Sequence, residues 1–173
     1  MPNTLVLQSG ILSDFKADQK IPSRITDVYP AAPPEVQLAE ATLTIRDPLK
    51  NFVHLTAVIE WYPVASLIGS FINVVFEIRR DDPYTGEIIY STIDSGLQPF
   101  GELSLLTTSF EHIDEVPVIP CKIPYEVSYY LVAANLLGES PSVFATVTSP
   151  VTFIAEQIEN PVQITHSDFK FLP

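Results

Sequence analysis

The side chains that could do chemistry are few and scattered. The chain holds three histidines, His54, His112 and His166, and one cysteine, Cys121. No histidine has a second His or Cys at ligand spacing, so the pattern gives no zinc site. A nucleophilic serine needs a sharp elbow with a base and an orienting acid, and no G-x-S-x-G or similar run is present. Cys121 with His112 would make a dyad. A reactive thiolate needs an electropositive setting, however, and Glu111, Asp114 and Glu115 surround that histidine. The acidic runs Asp81-Asp82 and Glu111–Glu115 lack the alternating Asp/Asn-Gly spacing of a calcium loop and read as solvated turns. Tyr125, Tyr129 and Tyr130 could line a carbohydrate groove. Tyr129 and Tyr130 fall on opposite faces of a strand, so they read as packing residues. No residue is assigned as catalytic, cofactor-binding or metal-ligating, and the chain reads as a non-enzyme.

What must then be explained is a large apolar content without a site. The chain has 173 residues, of which 46% are hydrophobic and 17% charged, with a formal net charge of −12. One domain with a substantial core is the expectation at this length. Phosphate neutralisation needs Lys and Arg, so the charge argues against nucleic acid as a partner. No run approaches a membrane-spanning length: the longest apolar region, Val64 to Phe76, is broken by Ser66, Gly69, Ser70 and Asn73. Membrane insertion is therefore not expected. Met1-Pro2-Asn3-Thr4 has no basic n-region of a signal peptide. A single cysteine cannot build an internal disulfide framework, and Cys121 reads as a reduced, half-buried thiol.

The hydrophobic pattern has a period of two almost throughout. Leu43 and Ile45 share one face of a segment running from Val36 to Arg46. Val53, Leu55, Ala57, Ile59 and Trp61 alternate with His54, Thr56, Val58, Glu60 and Tyr62, and Pro63 is read as the stop. Ile72, Val74, Phe76 and Ile78 repeat the pattern. After the turn residues Asp81 to Gly86 a strand returns over Glu87 to Ile93, which predicts a hairpin. Leu103 to His112, Tyr125 to Ala133 and Val143 to Ile158 follow. The last is interrupted at Ser149-Pro150, a sign of an edge, a bulge or a switch between sheets. No window sustains a helical stripe, so the fold class is all-β, an antiparallel sandwich or barrel. The length of the Val143–Ile158 pattern suggests a strand bending across both sheets, and with it a jelly-roll-like sandwich. An immunoglobulin-like sandwich would keep Trp61 as its central tryptophan but lacks the paired cysteines.

The first 34 residues read differently. Thr4, Leu5, Val6, Leu7, Ile11 and Leu12 are apolar, and Arg24 to Tyr29 is a further candidate strand. The run Pro30-Ala31-Ala32-Pro33-Pro34 then forces an extended joint. The expected division is an extended Pro-rich arm over 1–34, a β-sandwich domain over 35–159 and a tail over 160–173. A bare apolar strand needs a sheet edge. Donation to a neighbour, repeated head to tail, makes a filament. Folding back onto its own sandwich is one alternative, and a disordered arm is another. Thr4, Leu5, Val6, Leu7, Ile11 and Leu12 are thus the candidate assembly residues, with the chain itself as partner.

The order of segments resembles a family of small β-sandwich proteins of the bacterial endospore surface, the exosporium family. The residues that carry the likeness are Ala41–Ile45, Val53–Trp61, Val74–Asp81 followed by Gly86–Tyr90, and Tyr125–Ala133 before a final strand. It spans about Glu40 to Glu159. The resemblance implies a tumour-necrosis-factor-like jelly roll, a structural role at the spore or cell surface, and other spore-surface proteins as further partners. Related spore proteins build endospore appendages through an N-terminal connector. The arm here has no cysteine, so non-covalent strand donation is the implied linkage. A ligand- or carbohydrate-binding sandwich is the rival reading.

Overall fold

The computed structural model describes residues 11–20, 35–46, 51–65, 71–98, 104–117, 123–135, 143–148 and 151–159. The strands are β1 Ile11–Lys20, β2 Glu35–Ile45, β3 Asn51–Ala65, β4 Phe71–Arg80, β5 Glu87–Leu97, β6 Leu106–Asp114, β7 Tyr125–Asn135, β8 Val143–Val147 and β9 Val151–Glu159. One sheet runs β1-β9-β3-β6 with β8 also on β3, and the other runs β2-β7-β4-β5. Every pairing is antiparallel. With β8 and β9 taken as two halves of one strand, this is the strand order of an eight-stranded jelly roll.

The period-two pattern explains why these sheets meet. Leu43 and Ile45 of β2, Leu55, Ile59 and Trp61 of β3, Phe76 and Ile78 of β4, and Tyr129 and Leu131 of β7 are all fully buried in one core. Each lies on the inward parity of its strand, so the alternation read from the residues is the alternation of the two inner faces. Trp61 meets Phe76 edge to face across the layer, with ring centroids 6.3 Å apart. Room for the indole comes from Gly96 in β5. A Cβ added there would lie 2.9 Å from Trp61 Cη2 and 2.7 Å from Leu106 Cδ1.

Two expectations are corrected. Pro63 does not stop β3, which continues to Ala65. Beyond Trp61 its only partner among the described residues is β8, with Pro63 opposite Ala145, and β6 has already begun at Leu106. One side of β3 is open there, so a residue without an N–H is tolerated. Secondly, the Val143–Ile158 pattern does not bend across both sheets. β9 pairs with β3 over Asn51–Val58 and β8 over Trp61–Ala65, so the two halves follow one edge of one strand. Thr148 ties the break to that strand, its N–H and its hydroxyl both donating to Glu60 O, at 2.7 and 3.2 Å. Ile11–Lys20, part of the expected arm, lies antiparallel along β9. Among the described residues no helix is long and apolar enough to cross a membrane.

Candidate assembly surface

The strand order leaves four outermost strands, in two pairs. β1 and β2 close one side of the sandwich, where Asp18 Oδ2 accepts a bond from the Glu40 backbone N–H at 3.1 Å. β5 and β6 close the other. There the Tyr90 and Phe110 rings stack with centroids 5.0 Å apart, and Thr108 Oγ1 donates to Asp94 Oδ2. Such edges carry backbone groups that can pair with another chain.

Two of the proposed assembly residues fall at the first side. Ile11 and Leu12 stand at the start of β1, opposite Glu159 and Ile158. Thr4, Leu5, Val6 and Leu7 lie outside the described residues, as do Cys121, His166, the candidate strand 24–29 and the Pro-rich joint. At the centre of β1 Lys16 and Ala17 are exposed.

The second side differs in the face it shows. On β5, Ile93 is 60% exposed and Leu97 45%, and Phe71 of β4, opposite Leu97, is 68% exposed. The exposed positions of β6 that share its outer parity are instead mostly polar, with Thr107, Ser109 and Glu111. The sequence reading places Ile93 in a strand but misses this apolar outer face. Its signal is the parity: Ile93 and Leu97 alternate with Asp94 and Gly96, the reverse of an apolar-in strand.

Polar groups within the sandwich form a clamp between the sheets. Arg80 continues the inward parity of β4 and reaches Asp114 at the end of β6, with Nη1 3.0 and 2.8 Å from the two carboxylate oxygens. Tyr129 Oη donates to Asp114 Oδ2 at 2.9 Å, and Arg80 Nη2 also bonds Glu87. Burial works against the Arg80 charge, but Asp114 and Glu87 more than offset it, and its pKa is raised. Arg79, on the other face, binds Glu35 at 2.8 Å and Glu77 at 2.6 Å and donates to the Pro83 and Tyr84 carbonyls. This anchors the 81–86 turn. There Asp81 adopts φ 72° and Asp82 Oδ1 accepts from the Tyr84 and Thr85 N–H groups. These backbone bonds, Thr85 first, hold the Asp82 carboxyl below its usual pKa. The pair Asp81-Asp82 is thus a turn, as its residues suggest. Asp114 is not solvated, as the reading of Glu111–Glu115 has it, but 7% exposed.

The remaining candidates of the chemical reading separate. His54 is on the outer face, 3.3 Å from Glu156 and 3.6 Å from Glu111. His112 packs beside the Tyr90 ring. Among the described residues no three His, Cys, Asp or Glu side chains are grouped to hold a metal ion. Tyr129 is fully buried, while Tyr125 lines an open depression of about 630 Å³ with Thr44, Asp81, Pro124, Glu126 and Ser128.

Tyr129 makes stability sensitive to alkali. Burial above all, then the neighbouring Asp114 carboxylate, pushes its phenol well above the ordinary range. A tyrosine of the unfolded chain ionises near pH 10, whereas the folded one keeps its proton. Its contribution is therefore full below about pH 10 and falls as pH rises beyond it. Between pH 9 and 11.5 the urea midpoint should drop, and Tyr129→Phe should flatten that slope while lowering the midpoint at pH 7. An unchanged slope would remove Tyr129 as the cause.

Among the described residues the fold is a jelly-roll β-sandwich whose outermost strands have an unpaired edge on each of two opposite sides. No protein-family model and no curated protein matches the chain. Among solved structures it is similar to one of infectious bursal disease virus Gx strain, at 12% identity and TM-score 0.41, over 86% of this chain and 30% of that one. It is also similar to the infectious bursal disease virus VP2 subviral particle, at 10% identity and TM-score 0.33, over 87% and 35%. A third is dimeric latent PorU from Porphyromonas gingivalis, at 13% identity and TM-score 0.37, over 87% and 14%. The chain thus spans little more than a third of these proteins at most.

Proposed function

We propose that the protein is a structural subunit of a surface fibre or of a spore-coat or exosporium layer, joined to the next copy by its N-terminal arm. The observation that supports this reading is the edge position of Ile11–Lys20, the described part of the expected arm. The arm enters the fold through β1, an edge strand that pairs only with β9 among the described strands and shows water an exposed centre. Residues 21–34 separate β1 from β2, and extended Pro-rich chain of that length spans about 40 Å at ~3.1 Å per residue. Segments on such tethers exchange between copies at low cost. Residues Met1 to Ser13 contain no charged side chain in a chain of net charge −12, so the arm can approach a like-charged copy without adding repulsion. The likeness to endospore-surface proteins supports the location and the spore-surface partners.

The test is assembly of the full chain. Size-exclusion chromatography and negative-stain microscopy of the purified protein should show polymers that reducing agent and Cys121→Ser leave intact. Leu5→Lys/Leu7→Lys should cut the assembled fraction at least tenfold while the circular dichroism spectrum stays that of the wild type. A wild-type protein that is monomeric at every concentration tried defeats this reading.

A further inference from the structure

The arm needs an acceptor, and the four outermost strands are not equal candidates. β1 carries Asp14, Lys16, Asp18 and Lys20 along its length, and charges of this kind guard an edge against foreign strands. On β2 the Glu40 N–H is already taken by Asp18. β6 carries Glu111 with Thr107 and Ser109 on its outer face, and its exposed Ile113 stands alone at the end of the strand. β5 differs from all three. From Tyr90 to Leu97 it has no proline and no lysine, and its only charge, Asp94, points inward to Thr108. Its outer face carries no charge from Ser91 to Leu97, with Ile93 and Leu97 exposed and the hydroxyls of Ser91 and Ser95 between them, and no described strand pairs with its free side.

We infer that the free edge of β5, with Ile93, Leu97 and the adjoining Phe71 on its outer face, is the seat on which Thr4–Gln8 of a second copy adds as a strand. This rests on the proposed arm-mediated assembly and names its acceptor. Thr4–Gln8 lies outside the described residues and precedes β1, which itself lies on the side of the sandwich away from β5. β1 and the acceptor are thus at opposite sides, so the contact is heterologous and propagates instead of closing. Side-chain alternation fits: with Leu5 and Leu7 on the outer face they extend the Ile93–Leu97–Phe71 patch and withdraw it from water. Charge decides against the simplest rival. Pairing β5 with β5 of a second copy would bring Glu87 and Asp94 of both copies to one seam, whereas Thr4–Gln8 brings no acid.

Two full-length variants test it. Leu5→Lys/Leu7→Lys spoils the donor and keeps the acceptor. Ile93→Lys/Leu97→Lys spoils the acceptor and keeps the donor, at positions exposed enough for the fold to be retained. Circular dichroism and a melting curve check that. Each variant alone should be monomeric, and an equimolar mixture should give capped 1:1 dimers but no polymer. A cysteine pair in the Cys121→Ser background covers a lysine variant that fails to fold. On oxidation Leu7→Cys/Ser95→Cys should give an intermolecular ladder, and Leu7→Cys/Ser109→Cys on β6 should not. If wild type polymerises and Ile93→Lys/Leu97→Lys does so equally, β5 is not the acceptor although assembly stands. If the donor variant still dimerises, β5 pairs with β5. If it still polymerises, another segment, such as Val162–Thr165 of the tail, is the occupant. Either result overturns the inference. A monomeric wild type overturns the proposed function and this inference with it.

Discussion

Trp61→Ala should lower the unfolding free energy by about 3–5 kcal/mol, in the range of large aromatic truncations in packed cores. The indole is fully buried at the centre of the sandwich, between the two sheets. Three losses add up on its removal. Its apolar surface no longer gains from leaving water, and a cavity is left that the facing strands cannot close, because their backbones are fixed by ladders on both sides. The edge-to-face contact with Phe76 disappears. The 2.8 Å bond from Trp61 Nε1 to Thr108 Oγ1 disappears too, although Thr108 keeps Asp94 as acceptor for its own hydroxyl. For a chain of this size about 4 kcal/mol corresponds to a fall of roughly 8–16 °C in melting temperature. Circular dichroism should follow the transition, since the only tryptophan reporter has been removed. Trp61→Phe keeps most of the volume and should cost clearly less. A Trp61→Ala melt within 2 °C of wild type would mean that the residue does not sit between the sheets.

The positions that fill the core are legible in the sequence because burial here follows strand parity. Burial alternates from Val53 to Trp61, and from Ile72 to Ile78 with Val75 as the one exception, and a half-buried strand in a two-layer sandwich has only one way to satisfy that pattern. What parity cannot give is pairing. The Ser149-Pro150 break is the same in sequence whether the chain changes sheet or merely steps along one strand; the Thr148 bonds to Glu60 O decide it. Pro63 misleads for a related reason. Proline forbids a ladder bond on one side only, and whether that side is occupied depends on where β6 begins, which is set far along the chain at Leu106. The charge clamp is legible in part. Arg80 falls on the inward parity of β4, and an inward arginine at the end of an apolar strand demands an acidic partner. Nothing local says that the partner is Asp114 rather than Asp81, Asp82 or Glu115. As for the arm, composition sets it apart, but the start of its ladder at Ile11 depends on the free edge that β9 offers.

That clamp sets the second large effect. Arg80→Met should destabilise the fold by about 3–5 kcal/mol, because it leaves Asp114 buried with no cation. Asp114 then keeps a single described donor, Tyr129 Oη. A carboxylate with one neutral hydrogen bond in a dry site does not recover its hydration. The reciprocal change, Asp114→Ala, should cost less, since Arg80 retains Glu87, whose side chain is 67% exposed and brings solvent to that end of the guanidinium. The order of the two single mutants is therefore a prediction in itself. The double mutant Arg80→Met/Asp114→Leu removes both charges and should recover part of the Arg80→Met loss, as buried pairs replaced by packed apolar groups often do. Recovery should be incomplete, for Tyr129 then has a buried hydroxyl without its acceptor. Urea denaturation at pH 7 of the four proteins closes this cycle and gives the coupling between the sites. Single mutants whose losses simply add in the double would show that Arg80 and Asp114 do not act as a pair across the two sheets.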